Sequence, residues 1–356
     1  MNTKTLSTSK PGFRTLAERA ILSEYFVLYL SILYMLVLWP FIPWLFGQRN
    51  ISDILSNTWP LLALAIGQTF VLITAGIDLS QTSIMAVTSV AGAVVMTRVV
   101  DPVLFSKSPL WGIFLTENGG FLSGHVLAVP VAILVMLAIG SLIGLINGLA
   151  VAIFRMPAFM VTLVTMMFFS SFAIFLTKSE NIRGLPDVFL DIGQEGLGPL
   201  PYAMMIAVVL AVAAHLLLTK TLFGRRLYAT GTNAVASAIS GVPTRKVVIL
   251  AYVISGFCAA VGSILYSSRL EMGRPTLGAT QLLDIVGANV IGGISLSGGK
   301  GKITWTFLGV FFFVLLANTL NLMNLSFYLI DLVKGFVILG AALLDVLRTN
   351  RSARNL

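Results

Sequence analysis

The sequence predicts an all-α integral membrane protein of about ten transmembrane helices with both termini in the cytoplasm, and three observations carry that prediction. Of the 356 residues 57% are hydrophobic and only 10% charged, against ~25% charged in soluble domains, so the chain cannot cover its surface with polar groups in water. The apolar residues fall into ten runs near the length of a bilayer crossing, ~20 residues of helix whose backbone satisfies its own hydrogen bonds. The charges also separate by side. With both termini inside, 15 Lys or Arg fall inside and 7 outside, Lys334 lies within a run, and 8 of the 14 acidic residues fall outside, the bias that orients membrane proteins. The net charge of +9 therefore marks orientation rather than nucleic-acid binding, because the basic residues are spread between apolar runs and form no stripe.

Residues 1–24 are polar, with Lys4, Lys10, Arg14 and Arg19, and read as a cytoplasmic arm. The next run, 25–46, is too long for a signal-peptide core and lacks a small-residue cleavage site, so it is expected to remain as the first helix. It opens the transmembrane domain, 25–347. Runs 55–75 and 80–97 are joined by the tight GIDLS turn at 76–80. The glycine-, proline- and aromatic-rich segment 98–124 reads as an external flap lying on the membrane. Run 125–154 is longer than a crossing requires and should tilt. Run 157–177 follows Arg155 and starts on a proline suited to a first helical turn. Residues 178–200, with Glu180, Asp187, Asp191 and Glu195, read as a water-facing loop. Run 202–218 then leads into the most polar stretch of the chain, and 247–267 follows it. Run 282–294 is short and interrupted by glycine, and 305–323 and 327–347 end at a basic cytoplasmic tail, 348–356, with Arg348, Arg351 and Arg354.

The polar stretch 219–246 carries Lys220, Arg225, Arg226, Arg245 and Lys246 with no acidic residue, so it should face the cytoplasm. Its middle, 233–239, reads as one short helix, entered through Thr232 or Asn233 as an N-cap and ended by Gly241 with Pro243 just beyond. Such a helix is a handle for a soluble partner.

Within the apolar runs, Gly140, Gly144 and Gly148 repeat at intervals of four. A face without side chains lets another helix approach closely, whether from this chain or from a second copy. Asp78 admits two readings. In one it lies in water at the end of a helix and caps the next one through the helix dipole. In the other the Gly76 break lies within the membrane, and Asp78 with Ser80 lines an aqueous cavity. Asp331 and Lys334, three apart, can meet on one helix face as a structural ion pair or a proton relay. Gln68, Thr69, Asn147, Thr162, Thr165, Asn289, Asn318 and Asn321 offer amides and hydroxyls, and Phe168 and Phe169 offer aromatic faces. These groups suit recognition of a hydroxylated solute, and each polar one equally suits helix-to-helix hydrogen bonding.

No catalytic constellation is visible. Cys258 is the single cysteine, which excludes a disulfide framework or a cysteine metal site. His125 and His215 lie near run ends without an adjacent nucleophile or paired carboxylate. Leu296-Ser-Gly-Gly299 matches a signature of ATP-hydrolysing cassettes by letters, but it occupies a turn between apolar runs. No phosphate-binding G-x-x-x-x-G-K-[ST] accompanies it, since Lys300 is followed by Gly301. The chain is not expected to hydrolyse ATP.

Taken together, GIDLS at 76–80, SLIGLINGLAVAIFRMPAFMVTL at 141–163, FGRRLYATGTNAVASAISGV at 223–242 and VIGGISLSGGKG at 290–301 resemble the permease subunit of bacterial ribose-type monosaccharide ABC importers. The resemblance spans about residues 50–347. It implies a ten-helix permease in the inner membrane, pairing with a second, usually identical, permease around a central path. It also implies a periplasmic sugar-binding protein that delivers the solute, and a cytoplasmic ATPase with two fused nucleotide-binding halves that consumes ATP and Mg; no cofactor or metal is expected in this chain. In such permeases a cytoplasmic coupling helix docks on the ATPase, which makes Arg225, Asn233, Ala234, Ser237, Ile239, Ser240 and Gly241 the coupling candidates. The solute-path candidates are Gln68, Asp78, Ser80, Asn147, Thr162, Thr165, Phe168, Asn289, Asn318 and Asn321. Where the family often reads GGIDLSVGS this chain has AGIDLSQTS, so Gln81 and Thr82 make the start of the third run more polar. The alternative is a stand-alone proton-coupled transporter using Asp78, Asp284 or the Asp331 and Lys334 pair.

Overall fold

The computed structural model describes residue 23 and residues 25–354, with side chains described through Leu343. All but one residue of the expected N-terminal arm lies outside the described residues. The helices of the ten apolar runs are α1 (Phe26–Leu38), α2 (Gln48–Ile73), α3 (Gln81–Met96), α5 (Ala128–Ala152), α6 (Ala158–Thr177), α8 (Tyr202–Lys220), α11 (Thr244–Leu270), α12 (Leu282–Gly292), α13 (Ile303–Leu322) and α14 (Phe327–Arg354). Between them lie the short helices α4 (Pro102–Phe105), α7 (Asp187–Gln194), α9 (Leu222–Thr232) and α10 (Ala234–Ile239). Two small antiparallel pairs complete the described elements: β1 (Leu115–Thr116) with β2 (Gly119–Gly120), and β3 (Gly196–Leu197) with β4 (Leu200–Pro201).

Among the described residues six helices, α2, α5, α6, α8, α11 and α13, are long and apolar enough to cross a membrane. The apolar helices α1, α3 and α12 are shorter, at 13, 16 and 11 residues. The first run differs from its expected extent. Pro40 and Pro43 supply no backbone donor, so α1 stops at Leu38 and 39–46 continues as turns. Pro157 stands at the N-cap of α6 rather than inside its first turn. The backbone of α14 stays helical to Arg354, so 348–354 prolongs the last helix.

The centre of the bundle is α11, which lies along α5, α2 and α3. Of the most apolar stretch of α2, 83% is buried in protein, against 22% in α6 and 22% in α8, so α2 is interior and the other two present most of their surface outward. The glycine stripe of α5 explains the central contact. A Cβ at Gly144 would collide with the Tyr252 carbonyl, and one at Gly148 would come within 2.8 Å of the Ile249 Cα. One at Gly140 would reach the Gly256 carbonyl at 2.5 Å. The partner of the stripe is therefore α11 of the same chain. In a bilayer, where lipid is as apolar as leucine, such close dispersion contact holds helices together.

A second core lies over one end of the bundle. Residues 98–124 fold there as α4 and the β1–β2 pair, burying Phe105 and Leu115. Gly120 N donates to Thr97 O at 2.8 Å, and Arg98 pairs with Asp187 of α7 at 2.9 Å.

Candidate functional site

The GIDLS turn is where the bundle's polar chemistry gathers. Ala75, at φ 61, breaks α2, and Gly76 follows where a Cβ would stand 2.8 Å from the Tyr252 hydroxyl. The chain then carries Asp78 inward before α3 starts at Gln81. Asp78 is 1% exposed and Ser80 fully buried, so neither the reading that placed Asp78 in water at a helix end nor the one that had it line an aqueous cavity with Ser80 describes this structure. Its Oδ1 accepts from Ser80 N at 2.9 Å and Ser80 Oγ at 2.6 Å, and its Oδ2 accepts from Ser255 Oγ of α11 at 2.7 Å. Among the described residues it is these hydrogen bonds, not a cation, that satisfy the carboxylate, as a buried acid requires.

The network spreads from there. Asn147 of α5 donates to Ser80 Oγ at 2.8 Å, and Thr165 of α6 donates to Asn147 Oδ1 at 2.7 Å. Thr162 donates to the Ile77 carbonyl at 3.2 Å and to Ala158 O, one turn earlier, at 2.9 Å. The Gln68 amide pairs with the backbone of Asp78, its nitrogen 3.0 Å from the carbonyl and its oxygen 3.3 Å from the N–H. Gln81 donates to Ser255 Oγ at 2.7 Å and to Leu64 O at 3.2 Å. Two buried oxygens beside the network, Gln81 Oε1 and Tyr252 Oη, have no protein partner. Six candidates read from the sequence, Gln68, Asp78, Ser80, Asn147, Thr162 and Thr165, thus meet in one place. Ser255 joins them without having been singled out, although a hydroxyl inside an apolar run was the signal.

The other candidates lie elsewhere. Asn289 of α12 accepts from Thr69 at 2.7 Å and donates to Ala65 O at 3.1 Å, and Thr306 of α13 meets Thr69 at 2.7 Å, which ties α2, α12 and α13. Asn318 and Asn321 line a cavity of about 270 Å³ with Gln281, Asp284 and Lys334. Lys334 pairs with Asp284 at 2.8 Å and stands only 3.9 Å from Asp331. The main partner of Lys334 is thus fifty positions away, beyond the helical spacing that suggested Asp331. Phe168 is 61% exposed and stacks on Phe172 at 6.1 Å, outside the polar network.

The second feature is the arm formed by α9 and α10. Thr221 caps α9 by accepting from Gly224 N at 3.2 Å. Asn233 then ends α9 in extended conformation and caps α10, its Oδ1 accepting from Ala236 N at 2.9 Å. Gly241, at φ 82, turns the chain out of the helix. On α10, Val235 and Ile239 are 72% and 83% exposed, while Ser237 faces inward at 8%. Ala234, Ser240 and Arg225 are exposed too.

The arm is fastened to the bundle at the LSGGKG turn. Gly231 lies so close to the Ile73 carbonyl that a Cβ would overlap it, Gly299 N donates to the same carbonyl at 2.9 Å, and Tyr228 Oη donates to Gly301 O at 2.7 Å. Burial pushes the Tyr228 phenol above its usual pKa, which keeps it protonated for that bond. Gly298 and Gly299, at φ 83 and 72, supply the left-handed backbone that the turn needs. The letters shared with an ATPase signature therefore serve as a joint. Ile73 closes α2 five residues before Asp78, so arm and polar network share one chain end.

A bundle of long apolar helices with an acid and amides held inside it, and a polar arm fastened to one end, defines a multi-pass membrane transport protein. The chain belongs to the family described as branched-chain amino acid transport system / permease component, whose model matches residues 50–342. It is 34% identical over 307 residues to the Ribose import permease protein RbsC of Haemophilus influenzae, covering 85% of this chain and 87% of that one. It is 34% identical to the protein of the same name from Bacillus subtilis, over 83% and 84%. It is 32% identical to the Autoinducer 2 import system permease protein LsrC of Photorhabdus luminescens, over 84% and 82%. No solved structure matches. The chain is a permease and not itself an enzyme, and its resemblance to ribose-type permeases holds along most of its length.

Proposed function

We propose that this chain is the membrane-spanning subunit of an ATP-binding-cassette importer in the bacterial inner membrane, moving a monosaccharide or similar small polyol from periplasm to cytoplasm by alternating access. The observation that carries the reading is the identity to ribose import permeases across 85% of the chain, which runs through both the polar network and the arm. The charge bias of the sequence supports ten crossings with both termini and the arm inside. The exposed Val235 and Ile239 on α10 suit a groove on a cytoplasmic ATPase with fused nucleotide-binding halves, which would use ATP and Mg while this chain holds neither. A periplasmic binding protein would deliver the solute, and a second copy of the chain would complete the path.

The mechanism follows from the joint. Movement of the ATPase is transmitted through α10 to α9, and through Gly231 and Gly299 to the end of α2 beside Asp78, where two packings of the helices open opposite sides. The stand-alone proton-coupled alternative is disfavoured because the relatives are named as permeases of import systems. The test is to replace 233–240 by a Gly/Ser linker and measure uptake in vesicles holding the ATPase and the binding protein. The protein should insert normally and lose ATP-dependent uptake, whereas retained uptake refutes the reading.

A further inference from the structure

The cavity that Asn318 and Asn321 line lies at the end of the bundle away from the arm. The turn 299–301, which fastens the arm, follows α12 and precedes α13. The cavity takes Gln281 and Asp284 from the opposite end of α12, and Asn318 and Asn321 from near the end of α13. It takes Tyr266 from near the end of α11, a helix that leaves the arm at Thr244. Its lining grades from buried side chains, Tyr266, Phe313 and Lys334, to exposed ones, Thr280, Asn321 and Phe327, so it has a floor and a mouth.

The chemistry of the lining selects its occupant. Gln281 Oε1 and Asn318 Oδ1 are buried with no hydrogen-bond partner among the described residues, and a buried acceptor left unpaired is costly, so both require a donor. Lys334 donates to Asp284 Oδ1 at 2.8 Å. The two charges offset each other, which leaves hydrogen-bonding atoms on the wall rather than an unmatched ion. The Phe313 ring lies 5.5 Å from Lys334 Nζ, and Tyr266 and Phe327 add aromatic surface. At about 270 Å³ the space exceeds the ~30 Å³ share of a single water. A hydrocarbon would leave both amide oxygens unpaired, and a zwitterionic amino acid would have to break the Lys334–Asp284 pair to match its own charges. A small polyol brings several hydroxyl donors, and its C–H faces rest on aromatic rings.

We propose that this cavity is a solute site at the outer face, separate from the Asp78 network, where Gln281, Asn318 and the Asp284–Lys334 pair hold a monosaccharide or similar polyol against Phe313. Its solute class and its place at the outer face rest on the importer reading. The helices α12 and α13 run from this cavity to the turn whose Gly301 accepts from Tyr228 of the arm. Midway, Asn289 of α12 and Thr306 of α13 are tied to Thr69 of α2. A solute held at one end of this helix pair therefore bears on the same elements that the arm grips at the other.

The test uses the full chain in detergent micelles, without ATPase or binding protein, carrying Thr280→Cys at the exposed mouth. Cys258 is buried, so a maleimide reports on position 280. Its labelling rate is followed while D-ribose, D-glucose, D-galactose, myo-inositol or leucine is titrated. At least one polyol should slow labelling about threefold once its concentration reaches about twice its Kd, and leucine should not. Adding Asn318→Leu removes an oxygen that bonds no other described residue. It should restore the unprotected rate without lowering the unfolding temperature. Failure of every polyol to protect, protection by leucine, or protection that survives Asn318→Leu would each overturn the proposal. ATP-dependent uptake of one of these polyols by the complete system would in those cases leave the importer reading standing, which separates the two failures.

Discussion

Ser255, on α11, donates its hydroxyl to Asp78 Oδ2 at 2.7 Å across 177 positions of sequence. That bond joins the bundle's central helix to the turn between α2 and α3. It makes the polar network a property of five helices, α2, α3, α5, α6 and α11.

Removing the hydroxyl should therefore cost more than an ordinary hydrogen bond. Ser255→Ala leaves a buried carboxyl oxygen without that donor, a loss of about 1–3 kcal/mol, the desolvation cost of an unsatisfied buried polar group. Asp78→Asn should lower stability too. The double variant should lose less than the sum, by about 1 kcal/mol, because the two residues act on each other. Denaturant unfolding of the purified protein measures the cycle, and strictly additive losses would refute the coupling.

The glycines give a steric prediction with its own control. Gly144→Leu drives a side chain into the Tyr252 carbonyl and should abolish the monodisperse folded species on size exclusion. Gly335→Leu, at a position where a Cβ would meet nothing within 4 Å, should leave the elution profile unchanged.

On the arm, Val235→Asp and Ile239→Asp replace side chains that are 72% and 83% exposed. Their effect on stability should stay within about 0.5 kcal/mol. ATP-dependent uptake should nevertheless fall at least tenfold, because an apolar docking face would carry a charge into its partner. Wild-type uptake by both variants would exclude α10 as the docking element.

Lys334 and Asp284 form the most enclosed ion pair among the described residues, with side chains 8% and 22% exposed. Lys334→Met alone leaves Asp284 uncompensated and should destabilise by about 3–5 kcal/mol. Adding Asp284→Asn should recover much of that loss. Asp331→Asn should be nearly silent, since Asp331 stands 3.9 Å from Lys334 and its side chain is 35% exposed. Unfolding midpoints of the three variants check the ranking, and a large effect of Asp331→Asn would reverse the assignment.

By itself the sequence determined what depends on neighbours along the chain. Apolar runs located a helix in each of ten segments, although among the described residues only α2, α5, α6, α8, α11 and α13 have the length and hydropathy of a crossing. Asn233 and Gly241 marked both ends of α10, because a cap is made within three residues. Pro40 and Pro43 held the reason why α1 ends early, although run length masked it. Tertiary structure decided what depends on the facing of helices. Gly140, Gly144 and Gly148 announced close packing, but only the fold showed that α11 fills the space. Lys334 had an acid at helical spacing, yet its nearer partner, Asp284, comes from another helix. Asp78 read as a helix-end cap in water or as the lining of an aqueous cavity, and α5, α6 and α11 instead close around it. The physical reason is common to these cases. In hydrocarbon a helix face turned to lipid is as apolar as one turned to protein, so hydropathy along the chain locates the helices without saying which faces meet.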